Sequence, residues 1–142
     1  MSEASLVDEA QQAIGGGEKV LAAGVFQPRG TEGSIDVGGV AGAMVGGTVM
    51  SETQQVPRWT LLAVTETRLH AFEAHGKGTS WSVGEPFETW DRDKIAITVH
   101  GRFGVRTFEV EDIESGRRFE FETPRFGPAH GTVVVKLLQQ EA

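Results

Sequence analysis

The 142-residue chain contains no cysteine, no tyrosine and no asparagine. Without cysteine there is neither a disulfide framework nor a thiolate metal site. The missing asparagine and tyrosine, set against abundant glycine, alanine, valine and arginine, fit the coding bias of a GC-rich bacterial genome. Cations are also scarce: 13 Lys and Arg face 20 Asp and Glu, for a net charge of −7. That balance disfavours nucleic acid, whose phosphates need a cationic surplus, and electrostatic docking on an anionic leaflet. The opening M-S-E-A-S is acidic and has no apolar core, so a secretory leader is not expected. A cytoplasmic protein is the expectation, with peripheral attachment at the inner face of the membrane as the alternative. The length suits one domain that can bury a core unaided by metal or disulfides.

What the chain does have is a β-hairpin signal. Trp59 to Phe72 reads W-T-L-L-A-V-T-E-T-R-L-H-A-F: an apolar run, a four-residue polar reversal, and an apolar return. Before it, Leu6, Val7, Ala10, Ala13 and Ile14 recur at helical spacing, with Ser5 and Asp8 resembling a capping box and Gly15-Gly16-Gly17 as the stop. Lys19 to Phe26 reads as a strand apolar on both faces and therefore covered. After the hairpin, His75 to Gly78 reads as a loop and Trp81 to Trp90 as one short or interrupted strand. Ile95, Ile97 and Val99, then Phe108 and Val110, then Phe119 and Phe121 alternate with polar or small residues, the pattern of an antiparallel meander with one wet face. Val133, Val134, Leu137 and Leu138 fall on one helical stripe, extended backwards by His130 and Phe126, with Pro128 suited to the first turn. The β-branched run Thr132 to Val135 argues for a strand instead; the persistence of the stripe over three turns favours the helix.

Between the first two strands lies an unusual segment, Ile35 to Met50, in which Gly38, Gly42 and Gly46 stand four apart. Small residues at that spacing let helices approach closely. The uncharged run is about 14 residues, short of the roughly 20 a bilayer span requires, and each glycine weakens a helix by about 1 kcal/mol relative to alanine. A loop, a helix packed on its own domain or on a second copy, and a membrane-touching segment all remain open. If the segment is a contact, Val37, Gly38, Gly42, Met44, Val45 and Gly46 are its candidate residues.

About seven antiparallel strands followed by one amphipathic helix suggest a meander bent into a barrel and plugged at one end. At this point the chain resembles the bacterial PH-like and GRAM-like domains. The likeness rests on L-A-V-T-E-T-R-L-H-A-F (Leu62 to Phe72), on G-E-K-V-L-A-A-G (Gly17 to Gly24), on the alternating strands after Lys94, and on the closing helix. It implies a mainly β fold: an N-terminal helix over residues 1–16, then a PH-like barrel over 17–142 with a C-terminal helix and a glycine-rich insertion at about 33–53. It also implies a non-enzymatic module that binds a protein partner, copies of itself, or phosphoinositides. In phosphoinositide-binding members, cations gather on the loops between the first and second, third and fourth, and sixth and seventh strands. Here those loops carry Arg29 and Arg58, Lys77, and Arg117, diluted by Glu32, Asp36, Glu52 and Glu114.

Catalytic patterns are lacking. His70, His75, His100 and His130 show no metal-ligand spacing, so no metal or other cofactor is expected. Gly78 to Ser82 does not match a nucleophile elbow, and the glycine pairs lack the Lys-Ser/Thr of a phosphate loop. Glu109, Glu111 and Glu120 fall on wet strand faces rather than in a cleft. The expected function is a binding module for a protein partner or a homo-oligomer. A peripheral membrane module and a carrier of an apolar small ligand are the alternatives.

Overall fold

A computed structural model describes residues 2–29, 53–54, 56–77, 80–102, 105–123 and 131–140. The elements run α1 (Glu3–Ile14), β1 (Val20–Pro28), β2 (Thr53–Gln54), β3 (Thr60–Thr65), β4 (Arg68–Lys77), β5 (Ser80–Asp91), a 3-10 turn (Arg92–Lys94), β6 (Ile95–Arg102), β7 (Val105–Asp112), β8 (Arg118–Glu122) and α2 (Gly131–Gln140). Seven strands form one antiparallel sheet in the order β5-β4-β3-β1-β8-β7-β6, and the two-residue β2 lies parallel to β8. The fold is mainly β, with a helix at each end of the chain. The sheet is not closed into a barrel: its hydrogen-bonded ladder ends at β5 and β6.

The double-sided apolar pattern of β1 has a structural cause. In one half of the sheet, β5-β4-β3-β1, the strands β1, β3 and β4 are covered on both faces along most of their length. Leu6 and Ala10 of α1 pack with Val20, Ala23, Val25, Leu61, Ala63 and Phe72 on the outer side. On the inner side Ala22, Phe26, Leu62, Val64 and Leu69 meet Phe108, Val110, Phe119 and Phe121 from the other half, and Val134, Val135 and Leu138 from α2. The inner core is aromatic: Phe26 stands edge-on to Phe108 at 5.0 Å, and Phe108 stacks on Phe121 at 5.4 Å. A bulge between Val20 and Ala22 ejects Leu21, which is 43% exposed, and switches faces so that Val20 points out and Ala22 in.

Several details differ from the sequence reading. Ser2, not Ser5, caps α1, its hydroxyl accepting the Ser5 N–H at 3.2 Å; Ser5 lies inside the helix, one turn later than expected for a cap. Gly15 does end α1, at φ 92°, and its N–H donates to the Gln11 carbonyl. The residues His75, Gly76 and Lys77 belong to β4 instead of a loop, because pairing with Ser80, Trp81 and Ser82 overrides the glycine signal. Trp81 to Trp90 lies within one continuous strand, the twelve-residue β5 (Ser80–Asp91). Its two register breaks bring Phe87 to the inner face while Trp81 and Val83 pack outside. The C-terminal helix is present, so packing of the Val134–Leu138 stripe on β1 and β3 wins over the strand propensity of Thr132 to Val135. The insertion at 33–53 lies outside the described residues apart from Thr53.

The start of α2 approaches the sheet closely. A Cβ on Gly131 would lie 2.8 Å from the Phe26 ring and 2.9 Å from the Thr123 methyl. Gly131→Ala therefore pits a helix-propensity gain of about 1 kcal/mol against overpacking of about 1–3 kcal/mol. Phe26 is fully buried and cannot give way, so overpacking wins. Urea denaturation of Gly131→Ala is expected to show a net loss of up to about 2 kcal/mol.

Candidate functional site

Three of the four loop cations, Arg29, Arg58 and Lys77, sit on strand ends at one end of the first half-sheet, and Arg117 precedes β8. Arg29 donates from Nη1 to Glu120 Oε2 at 2.8 Å. Arg117 pairs with Glu88 of β5 at 3.2 Å and lies over the Phe119 ring at 5.4 Å. Arg58 is exposed just before β3, and Lys77 is the last residue of β4. The register Phe26↔Thr60↔Glu73 brings the ends carrying Arg29, Arg58 and Lys77 to one edge of the first half-sheet, whereas Arg117 reaches across to β5. Two of the four are thus neutralised by carboxylates, and the arrangement is a mixed-charge rim. The candidate contact Val37, Gly38, Gly42, Met44, Val45 and Gly46 lies outside the described residues.

The wet-face carboxylates are more engaged than alternation alone predicts. Glu109 pairs with Arg118 at 3.2 Å, and Glu120 holds Arg29 with its own side chain only 12% exposed. Glu122 is buried and accepts from the Gln27 amide at 3.2 Å. These pairs join β1, β7 and β8 across the outer face.

A polar cluster that no sequence motif marks sits where the α1–β1 loop meets the β3–β4 hairpin. The Thr65 hydroxyl donates to Glu18 Oε1 at 2.8 Å, His70 Nε2 lies 3.3 Å from the same carboxylate, and Arg68 approaches it at 3.7 Å. Arg68 also reaches Asp91 at 3.5 Å. Next to this cluster the Gln11 amide donates to the carbonyls of Gly15 and Glu18, both at 2.7 Å, and accepts the Val20 N–H at 2.9 Å. Glu18 and His70 stand 52 residues apart, so only the fold joins them. Burial alone would push the Glu18 carboxyl up. The hydrogen bonds from Thr65 and His70, with the charges of His70 and Arg68, outweigh it and hold the group below its ordinary value. The cluster locks the α1–β1 loop to the hairpin.

Two open recesses lie on the surface of the described residues: one of about 580 Å³ at the end of α1, lined by Asp8, Gln11, Gln12, Gly16, Glu18 and Lys19, and one of about 430 Å³ lined by Glu66, Thr67, Asp91, Arg92, Asp93 and Lys94. Arg92 is occupied there, donating to the carbonyls of Thr65 at 2.8 Å and Leu137 at 3.3 Å, which fastens the end of α2 to the hairpin. Lys94 is bonded to Glu114, and this bond with the nearby charges of Glu114, Asp91 and Asp93 raises its pKa. Among the described residues no group of three His, Asp or Glu is placed to hold a metal ion, and no helix is long and apolar enough to cross a membrane. Trp90 lies in the core, while Trp59 and Trp81 form a half-buried pair at 5.2 Å on the rim.

The two ends of the ladder differ in kind. β5 is broken twice in register and carries Glu85, Pro86 and Glu88, features that guard an edge. β6 pairs with β7 through eight residues without a break. Its stretch 95–101, I-A-I-T-V-H-G, contains no acid, lysine, arginine or proline. The Lys94 carbonyl accepts the Ile113 N–H, and the Asp112 N–H turns to β8. By the alternation of antiparallel pairs, Ile95, Ile97, Val99 and Gly101 direct their backbone N–H and C=O to the open side. Compared with protein-family models, curated proteins and solved structures, the chain matches none of them.

The depressed Glu18 pKa makes its contribution pH-dependent. The stabilisation is fully present above the ordinary carboxylate value of 4.5 and is lost as pH falls through the depressed value. Glu18→Gln is expected to lower the thermal midpoint at neutral pH and to flatten its decline below pH 4.5. Melts recorded from neutral pH downward check this; parallel acid limbs in variant and parent would contradict it.

Proposed function

We propose that this chain is a non-enzymatic PH-like module that binds protein by adding a strand at β6. The observation that carries the reading is the unguarded β6 edge beside a β5 edge that is guarded. An incoming strand at β6 would find unpaired N–H and C=O groups on alternate residues, and the half-buried row Ile95, Ile97 and Val99 to pack against. The PH-like description draws support from the antiparallel order of the seven strands and from α2 packed on their inner face. A partly open barrel fits the contacts that cross the gap: Phe87 and Trp90 meet Phe119 edge-on, and Arg117 holds Glu88.

A second reading, peripheral membrane association, is favoured by the Trp59–Trp81 pair beside the exposed Arg58, because amphipathic rings and arginine suit the headgroup layer. The apolar-carrier alternative gains nothing from an interior in which Phe26, Phe108 and Phe121 fill the space with one another.

Hydrogen exchange tests the strand-addition reading with a panel of eight-residue extended peptides that includes the sequence of β6. Slowed exchange at the amides of Ile95, Ile97 and Val99, with β5 amides unchanged, is the expected result. A panel in which no peptide protects β6, joined to co-sedimentation with neutral or anionic vesicles that is lost in Trp81→Ser, would favour the membrane instead.

A further inference from the structure

We infer that the strand received at β6 is β6 of a second copy of this chain, the two joining antiparallel across a two-fold axis at Thr98. The inference rests on the strand-addition reading and names its partner.

An antiparallel pair of identical strands is self-complementary about a two-fold axis, so one surface supplies both sides of the interface. With the axis at Thr98, Ile97 faces Val99 of the second copy, Ala96 faces His100, Ile95 faces Gly101, and Thr98 faces itself. Within 95–101 no pair opposes two fixed charges; the next positions out set Arg102 opposite Lys94, whose ammonium is held by Glu114, and a Thr–Thr pair is among the favourable cross-strand neighbours. This register also matches the backbone. Ile97 and Val99 are among the residues whose N–H and C=O point outward, so they exchange hydrogen bonds with their counterparts on both sides of the axis.

The side chains agree with the backbone. Ile95, Ile97 and Val99 pack against the inner core but stay half-buried, while Ala96, Thr98 and His100 are exposed on the outer face. A second β6 carries an equal row, so pairing continues the apolar inner face from one copy into the next and covers what each leaves open. A foreign strand would need a matching uncharged alternation; a second copy has it by identity. The β5 edge is a poor competitor, because Pro86 lacks an N–H and the two register breaks twist the strand away.

Sedimentation of the full chain over a concentration series tests this. The expected result is a monomer–dimer equilibrium in which Thr98→Lys and Thr98→Glu each raise the dissociation constant about tenfold or more, since each sets like charges face to face. An equimolar mixture of the two variants regains the dimer, because lysine then faces glutamate. Thr89→Lys on the exposed face of β5 leaves dimerisation unchanged. Thr98 is exposed, and matching melts establish that the variants fold. A wild-type chain that stays monomeric at every concentration overturns the inference, as does a dimer indifferent to both Thr98 variants. In either case, a panel peptide that protects the β6 amides leaves strand addition standing with a foreign partner. No protection at β6 removes both.

Discussion

The structure depends on β1 being buried from two sides at once. A strand with one wet face would need only one covering layer. Val20, Ala23 and Val25 face α1, while Ala22 and Phe26 face the opposite half of the sheet and α2. β1 also pairs with β3 along its length and with β8 at its far end, so it belongs to both halves. Both helices and both ladders are positioned by this strand. Removing apolar character from either of its faces would expose a layer rather than a side chain.

With the core satisfied in this way, the polar residues serve attachment. Glu18, Thr65 and His70 fix the α1–β1 loop, Arg92 fixes the end of α2, and Arg29, Arg118, Glu109 and Glu120 lace the outer face. Charges engaged in this manner are poor candidates for recognising a ligand. Backbone is a further resource, and among the described strands β6 offers the longest unbroken stretch whose open side no strand pairs.

The elements with strong local signals were legible in the sequence. The hairpin from Trp59 to Phe72 can be read from two apolar runs about a polar reversal, and the alternating β6, β7 and β8 and the amphipathic stripe of α2 from periodicity, because each of these buries one face against a single layer. The boundaries that failed were those set by partners far along the chain. Gly76 looks like a turn until Trp81 pairs with it, and Trp81 to Trp90 looks interrupted because its bulges shift apolar residues out of phase. The Glu18–His70 cluster had no signal at all, since nothing in local spacing reports a contact across 52 residues. Loop position alone suggested that Arg29 and Arg117 were free cations; their acidic partners on β8 and β5 became visible only with the register.

The pairing of β1 with β8 has a temporal side. Gln27 and Glu122 are 95 positions apart, whereas β1, β3, β4 and β5 can assemble from neighbours. As the chain is made from its N-terminus, the first half-sheet can form with its inner face still bare, waiting for Phe108, Phe119 and Phe121 to be synthesised. Until those residues follow, the apolar inner face of the first half-sheet has no covering layer.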